Sequence, residues 1–245
     1  MHRFFSTHSD LTARQITIID ISEIHHMRDV LRLKNGDSVA IFDGSGKEAV
    51  GTIAAIKEAA ITITVNSLRD NKPSRNIRMI LACAIPKKTK FEFIIEKCTE
   101  LGVDEIIPMR TQRTEFISEE SRINKKEERY KAVAINAAKQ SKRSVVPVIR
   151  PVTKFENVLT NLSPDTVGFI PHLGSDTKNL IQALKNKPAT RNVIFFIGPE
   201  GDFTPDEVKK AREAGCIPVS LGPTVLKVDT AYICVVSLAN LLLGN

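Results

Sequence analysis

The chain has 245 residues and carries 35 Lys+Arg against 28 Asp+Glu, a formal net charge of +7. Its length suits two domains, and the lack of any apolar run of about 18 residues argues against a membrane-spanning helix. Cys83, Cys98, Cys216 and Cys234 are scattered, with no C-x-x-C pair, so they read as reduced core thiols rather than a disulfide scaffold or a metal site. Residues 1–8 lack the apolar core of a secretory signal. A cytoplasmic protein with no metal and no membrane attachment is the expectation.

In chain order, Ser22 is placed to cap a short helix reaching Leu31. Residues 38–67 then alternate apolar and polar, with strands over 39–42, 49–53 and 60–65 and a turn at Asp43-Gly44-Ser45-Gly46; this is antiparallel strand chemistry. Residues 69–75 are polar, include Pro73 and read as a linker. Beyond it strands and helices alternate. Strands are expected at 77–85, 105–109 and 166–170. Helices are expected at 89–101 (stopped by Gly102), 124–142, 153–162 and 177–186. Thr153 and Glu156 have capping-box spacing. Such alternation implies a mostly parallel sheet with helices on its faces. The division is thus a β domain over 1–70 and an α/β domain over 75–245.

The C-terminal third is the most informative. Residues 193–197 (Val-Ile-Phe-Phe-Ile) run into Gly198-Pro199-Glu200-Gly201, and residues 217–221 (Ile-Pro-Val-Ser-Leu) run into Gly222-Pro223. A short apolar run that stops at Gly-Pro reads as a buried strand ending in a tight loop. After the first loop, Thr204, Pro205 and Glu207 supply an N-cap, a first helical residue and a capping box, and Gly215 supplies the stop. The second loop leads into an apolar helix over 229–243. Both loops then fall beyond the carboxyl ends of parallel strands, where open α/β sheets bind small ligands. The phosphate-cradling patterns G-x-G-x-x-G and G-x-x-x-x-G-K-[ST] are both absent. Bare glycine backbone suits the edge and face of a flat base instead.

The residues of these loops carry a resemblance. Ile197-Gly198-Pro199-Glu200-Gly201-Asp202-Phe203-Thr204 with Glu207, and Leu221-Gly222-Pro223-Thr224-Val225-Leu226-Lys227-Val228-Asp229-Thr230-Ala231, resemble the two C-terminal signatures of the RsmE family. These are the ribosomal RNA small-subunit methyltransferases E of the SPOUT superfamily. Upstream, His25-His26-Met27 with residues 30–37 (VLRLKNGD), residues 96–103 (EKCTELGV) and Ala138-Lys139-Gln140-Ser141-Lys142-Arg143 with Val146-Pro147 are similar to further family segments, in the family's order. The resemblance implies a PUA-like β-barrel that helps hold RNA, then a SPOUT-type α/β domain with a C-terminal trefoil knot, in a homodimer. It implies S-adenosyl-L-methionine as cofactor, with a pocket of Pro171, Ile197, Gly198, Pro199, Glu200, Gly201, Leu221, Gly222, Pro223 and Leu226. The implied reaction is methylation of N3 of one uridine in 16S ribosomal RNA of the small subunit.

Charge placement agrees with an RNA partner. Residues 69–143 hold 18 basic and 11 acidic side chains, so the whole excess lies there. Such segregation is the electrostatic footprint of a nucleic-acid surface. Lys87, Lys88, Lys90, Arg110, Arg113 and Lys142 are the phosphate-contact candidates, with Lys125, Lys126 and Lys139 beside them. His25-His26 read as structural. The chemistry asks for a fixed cation where charge grows on the uracil oxygens, and a planar guanidinium meets that need. Arg143, aligned with a family arginine, is the catalytic candidate; a phosphate contact is its other reading. Asp229 and Glu200 are candidate bases, and Glu200 can equally orient its loop. The chain departs from the family at Thr224, Lys227 and Asp229, at Asp202 in place of a glycine, and at Lys142 in place of another. Thr224 cannot replace the bidentate contact of an arginine. Two rival functions stay open: another SPOUT reaction, such as ribose 2′-O-methylation, and a non-catalytic RNA-binding protein.

Overall fold

The computed structural model describes residues 1–7, 9–86, 91–114, 120–174 and 176–244, of which 120–125 by backbone alone. The chain divides into one unit of residues 1–73 and 135–146 and another of residues 74–134 and 147–245.

The first unit is built on a five-stranded sheet. Its strands are β1 (His2–Phe5), β2 (Gln15–Ile18), β3 (Ser38–Phe42), β4 (Lys47–Ile56) and β5 (Ile61–Asp70), in the order β1-β3-β4-β5-β2. Only the β1–β3 pairing is parallel. Alternate residues of the strands turn inward, and Phe4, Ile16, Ile18, Val39, Ile41, Ile53, Ile61 and Ile63 form the core. Helix α1 (Ile21–His25) passes directly into a π-helical turn, His26–Val30. Its cap is Asp20, not Ser22. The Asp20 carboxylate accepts from the backbone N–H of Ser22 and Glu23 and from the Ser22 hydroxyl. Those three bonds hold the Asp20 carboxyl below its ordinary pKa, the Ser22 hydroxyl contributing most.

The second unit carries β6 (Arg78–Ala84), α2 (Phe91–Glu100), β7 (Glu105–Arg110), α3 (Glu120–Gln140), β8 (Val148–Ile149), β9 (Thr153–Lys154) and α4 (Phe155–Thr160). It continues with β10 (Thr166–Pro171), β11 (Lys178–Asn179), α5 (Leu180–Lys185), β12 (Asn192–Ile197), α6 (Pro205–Glu213), β13 (Ile217–Ser220) and α7 (Val228–Leu243). The last turns of α3 and the segment after it, residues 135–146, cluster with the first unit. The sheet order is β11-β13-β10-β12-β6-β7-β8, with β9 beside β7, and every pairing is parallel. Strand β12 inserts between β6 and β10, and β13 returns on the far side of β10. Phe155, Ile170, Ile194, Phe196, Phe203, Val208 and Ala211 fill one of its cores.

The second capping box expected from sequence does not form. Thr153 is drawn into β9, paired with Met109, and its hydroxyl donates to the Pro151 carbonyl. Helix α4 therefore starts at Phe155, with no side-chain bond from its N-cap Lys154. Helix α5 is likewise shorter than expected and is capped by Asn179.

Candidate functional site

Because β10 is hydrogen-bonded to β12 on one side and β13 on the other, their carboxyl ends lie side by side. Pro171, Gly198 and Gly222 follow from those three ends and share one edge of the sheet. The two glycine loops are thus neighbours across a single strand. The sequence pattern anticipated the common edge; the strand between them brings in Pro171.

The first loop is set by helix α6. Thr204 caps the helix and Glu207 closes the box: Thr204 N–H and hydroxyl donate to Glu207 Oε2 at 2.9 and 3.1 Å, and Glu207 N–H donates to Thr204 Oγ1 at 3.3 Å. Glu207 is fully buried. Its other oxygen accepts the Gln112 N–H at 2.9 Å, which ties the turn after β7 to the start of α6. Arg113, on the same turn, donates to the Gly201 carbonyl. Within the loop, Asp202 N–H bonds Pro199 O at 2.9 Å and Asp202 takes φ 59°. Asp202 thus adopts the left-handed conformation that glycine holds at lower cost.

The glycines serve different needs. A Cβ on Gly198 would lie 3.1–3.2 Å from the Phe203 ring, a member of the core, so this glycine answers to packing behind the loop. Gly222 answers to conformation. Its φ is +134°, and a Cβ there would meet open space. Ser220 braces that turn, accepting from Gly222 N–H at 3.3 Å and donating to Gly222 O at 3.1 Å. Ile197 and Pro199 are buried, Pro171, Gly198, Leu221 and Leu226 are half-buried, and Glu200, Gly201, Gly222 and Pro223 are exposed. The edge therefore offers apolar side chains and uncovered backbone around open space at Gly222. Exposed backbone and apolar side chains of this kind fit the edge and face of a flat base better than a polyphosphate.

Sequence reasoning missed His172. It follows β10 directly, its N–H bonding Val219 O at 3.1 Å, and its buried Nδ1 lies 3.5 Å from Asp202 Oδ2 on the first glycine loop. The signal for it is position: one residue past a strand end on the loop edge. Asp229 sits in the first turn of α7, where its carboxylate accepts Thr230 N–H at 3.1 Å.

Arg143 belongs to the other unit. It ends a Schellman turn at the C-terminus of α3, in which Arg143 N–H bonds Ala138 O at 3.0 Å and Lys142 N–H bonds Lys139 O at 3.4 Å. Lys142 holds the left-handed position, φ 59°, that a glycine usually fills.

The basic region is less free than its charge count implied. Lys139 is committed to Glu23, Arg75 pairs with Asp104 at 2.6 Å, and Arg129 pairs with Glu92 at 2.9 Å. Arg110 is half-buried at the end of β7. Lys87, Lys88 and Lys90 lie outside the described residues. Among the described residues no His, Cys, Asp and Glu cluster could hold a metal, and no helix is long and apolar enough to cross a membrane. Cys83, Cys98 and Cys216 are buried free thiols, and burial pushes each pKa up, that of Cys216 to about 12.

Comparison with known proteins places these features in a family context. A family model described as an RNA methyltransferase domain matches residues 73–240, and one described as an RNA methyltransferase PUA domain matches residues 18–66. The chain is 28% identical over 240 residues to the ribosomal RNA small subunit methyltransferase E of Bacillus subtilis (strain 168), covering 94% of this chain and 93% of the relative. It is 29% identical over 225 residues to the protein of the same name from Synechocystis sp., covering 91% and 72%. Among solved structures, a Legionella pneumophila protein in complex with the bound cofactor SAM superposes with a TM-score of 0.85 at 25% identity, over 98% of this chain and 96% of that one.

Proposed function

The chain belongs to the RNA methyltransferase family that includes the small-subunit methyltransferases E, and from that membership we propose that it methylates N3 of one uridine in 16S ribosomal RNA. The observation that carries this reading is the shared edge at Pro171, Gly198 and Gly222, the place where a parallel sheet binds small ligands, in a chain whose family uses S-adenosylmethionine. When bound, S-adenosylmethionine supplies an electrophilic methyl group. Ile197, Leu221 and Leu226 would pack against it, and the backbone of residues 198–201 and 222–223 would meet its polar edges. Glu200, exposed on the first loop, would orient that loop or meet the cofactor.

N3 of uracil carries a proton at neutral pH, so the ring must become anionic before or as it takes the methyl group. The proton passes to solvent or to a carboxylate such as Asp229 or Glu200, the sulfur keeping the electron pair of the broken S–CH3 bond. The negative charge spreads onto O2 and O4. Arg143 would place a planar, permanently charged pair of donors there, stabilising that charge where it grows. Arg110 and Arg113, with Lys87, Lys88, Lys90 and Lys142, would contact phosphates and set the register of the RNA. The first unit, matched to a PUA domain, would hold RNA, and residues 75–245 would carry the reaction. The passage of β12 between β6 and β10, followed by β13 beyond β10, supports a trefoil-knotted chain path. Helix α7 buries Tyr232, Val235, Val236 and Ala239 on one face and leaves Leu241 71% exposed on another, which supports a homodimer packed through that helix.

The test is to map modified positions in 16S RNA from cells with and without this protein, and to restore the missing one with purified protein, S-adenosylmethionine and small subunits. One N3-methyluridine should depend on the protein. A protein-dependent ribose methyl group, or no change at all, would overturn the reading in favour of 2′-O chemistry or a non-catalytic role.

A further inference from the structure

A buried cation of the first unit is aimed at the turn that carries Arg143. Arg3, on β1, and Glu48, on β4, form an ion pair with each side chain only 8% exposed: Arg3 Nε and Nη2 donate to Glu48 Oε2 at 2.9 and 2.5 Å. The guanidinium lies over the Phe42 ring, 4.8 Å from its centroid. A planar cation has donors to spare after one carboxylate. Here Nη1 donates to the carbonyls of Ala138 and Arg143 at 3.2 and 3.4 Å, and Nη2 donates to Ser144 Oγ at 2.9 Å. Ser144 is bound in turn by Asn71 Nδ2 at 3.2 Å, and its carbonyl accepts Gly46 N–H at 3.0 Å. Val146 N–H closes the set on Gly44 O at 3.0 Å.

The turn needs such a brace. Ala138 O, which takes the Arg3 bond, is the same carbonyl that accepts Arg143 N–H to close the Schellman turn. At the left-handed position of that turn stands Lys142, a conformation that glycine holds at lower cost than any residue with a side chain. A cation at a helix C-terminus is also favoured by the exposed carbonyl dipoles. Arg3 thus bonds both ends of the six-residue span, Ala138 to Arg143, that sets the backbone from which the Arg143 side chain departs.

We propose that Arg3 is a positioning residue for Arg143, so that the β-sheet unit takes part in the reaction by holding the reactive arginine as well as by holding RNA. This rests on the reading of Arg143 as the group at the uracil. Arg3→Lys keeps a charge beside Glu48 but cannot reach Glu48, Ser144 and both carbonyls together.

The experiment is single-turnover methyl transfer to small subunits at saturating RNA and S-adenosylmethionine, with both dissociation constants measured separately. Arg3→Lys should slow the transfer by roughly tenfold, the scale of a modest misplacement of a reacting group, with both affinities within about twofold of the parent. Arg3→Lys combined with Arg143→Lys should be no slower than Arg143→Lys alone, because a group acting through another has nothing left to act on. A slow Arg143→Lys beside a normal Arg3→Lys, or rate losses that multiply in the double variant, would overturn the positioning role while leaving Arg143 in place. A normal Arg143→Lys would overturn both. Should Arg3→Lys fail to fold, Ser144→Ala, which removes a single link, should slow transfer by about threefold with the same non-additivity toward Arg143→Lys, and additive losses there would count against the proposal.

Discussion

Each unit buries a carboxylate beneath a loop proposed for the site, and the two are satisfied in opposite ways. In the first unit Glu48 faces a guanidinium and a hydroxyl. In the second Glu207 faces backbone N–H groups from Gln112 and Thr204 and one hydroxyl, with no cation among these partners. The difference follows what each loop presents. The turn at residues 138–146 delivers a charged side chain and is held from a distant strand by another charged side chain. The loop at residues 198–204 delivers backbone and is held by the Glu207 carboxylate and the Arg113 guanidinium.

The largest expected effect comes from breaking the charged arrangement on one side only. Arg3→Met leaves Glu48 buried without a counter-charge and should cost about 3–5 kcal/mol in urea unfolding. Arg3→Met with Glu48→Met should recover most of that loss, since a buried pair replaced by apolar groups is close to neutral. Glu207→Gln should cost less, about 1–3 kcal/mol, because it disturbs neutral donors rather than stranding a charge. If Glu207→Gln were as costly as Arg3→Met, the contrast between the two units would collapse.

The same contrast predicts how catalysis and cofactor binding separate. Arg143→Lys should lower single-turnover methyl transfer by roughly 10²–10³, the scale of losing one preorganised donor, with little change in RNA affinity. A near-normal rate would remove Arg143 from the chemistry. In the other unit, Leu226→Glu puts a charge among the apolar groups beside Gly222 and should weaken S-adenosylmethionine binding by at least about tenfold in calorimetry, the cost of burying an ill-matched polar group. RNA affinity should hold. Unchanged cofactor affinity would place the pocket elsewhere.

What the sequence disclosed follows the same division. The loop at Gly198 was legible because its determinants are local: Thr204 and Glu207 are three residues apart, and Gly215 takes φ +82° where the helix was expected to stop. Strand ends at Gly-Pro, and the parallel order they imply, were legible for the same reason. The bracing of Arg143 was not, because Arg3, Glu48 and Ser144 are far apart in the chain and no periodicity links them. Four-residue strands β1 and β2 were too short to show a pattern. Lys142 registered only as a departure from a family glycine; the structure shows what it must do there, which is adopt that glycine's conformation. Charge counting could not reveal that Lys139 and Arg113 already have partners inside their own units.

The smallest predicted effect concerns alkaline pH, and it too separates the units. All four cysteines and both tyrosines fall within residues 74–134 and 147–245; the first unit has none. Burial pushes the thiols of Cys83, Cys98 and Cys216 above their ordinary value of 9.0, Cys216 to about 12. A thiol is neutral when protonated, so between pH 9 and 10 the unfolded chain loses these protons while the folded chain keeps them. The unfolded state then binds fewer protons, and unfolding becomes easier as pH rises. This stabilisation is complete below about pH 9 and is lost progressively toward the folded-state values. Thermal unfolding followed by Tyr130 and Tyr232 should therefore weaken from pH 9 to 10 and hold steady from pH 7 to 8. Cys216→Ala should flatten part of that alkaline decline. The first unit holds neither a cysteine nor a tyrosine, so amide exchange at Arg143 should show no matching change. A parallel decline there would mean that the two units unfold as one.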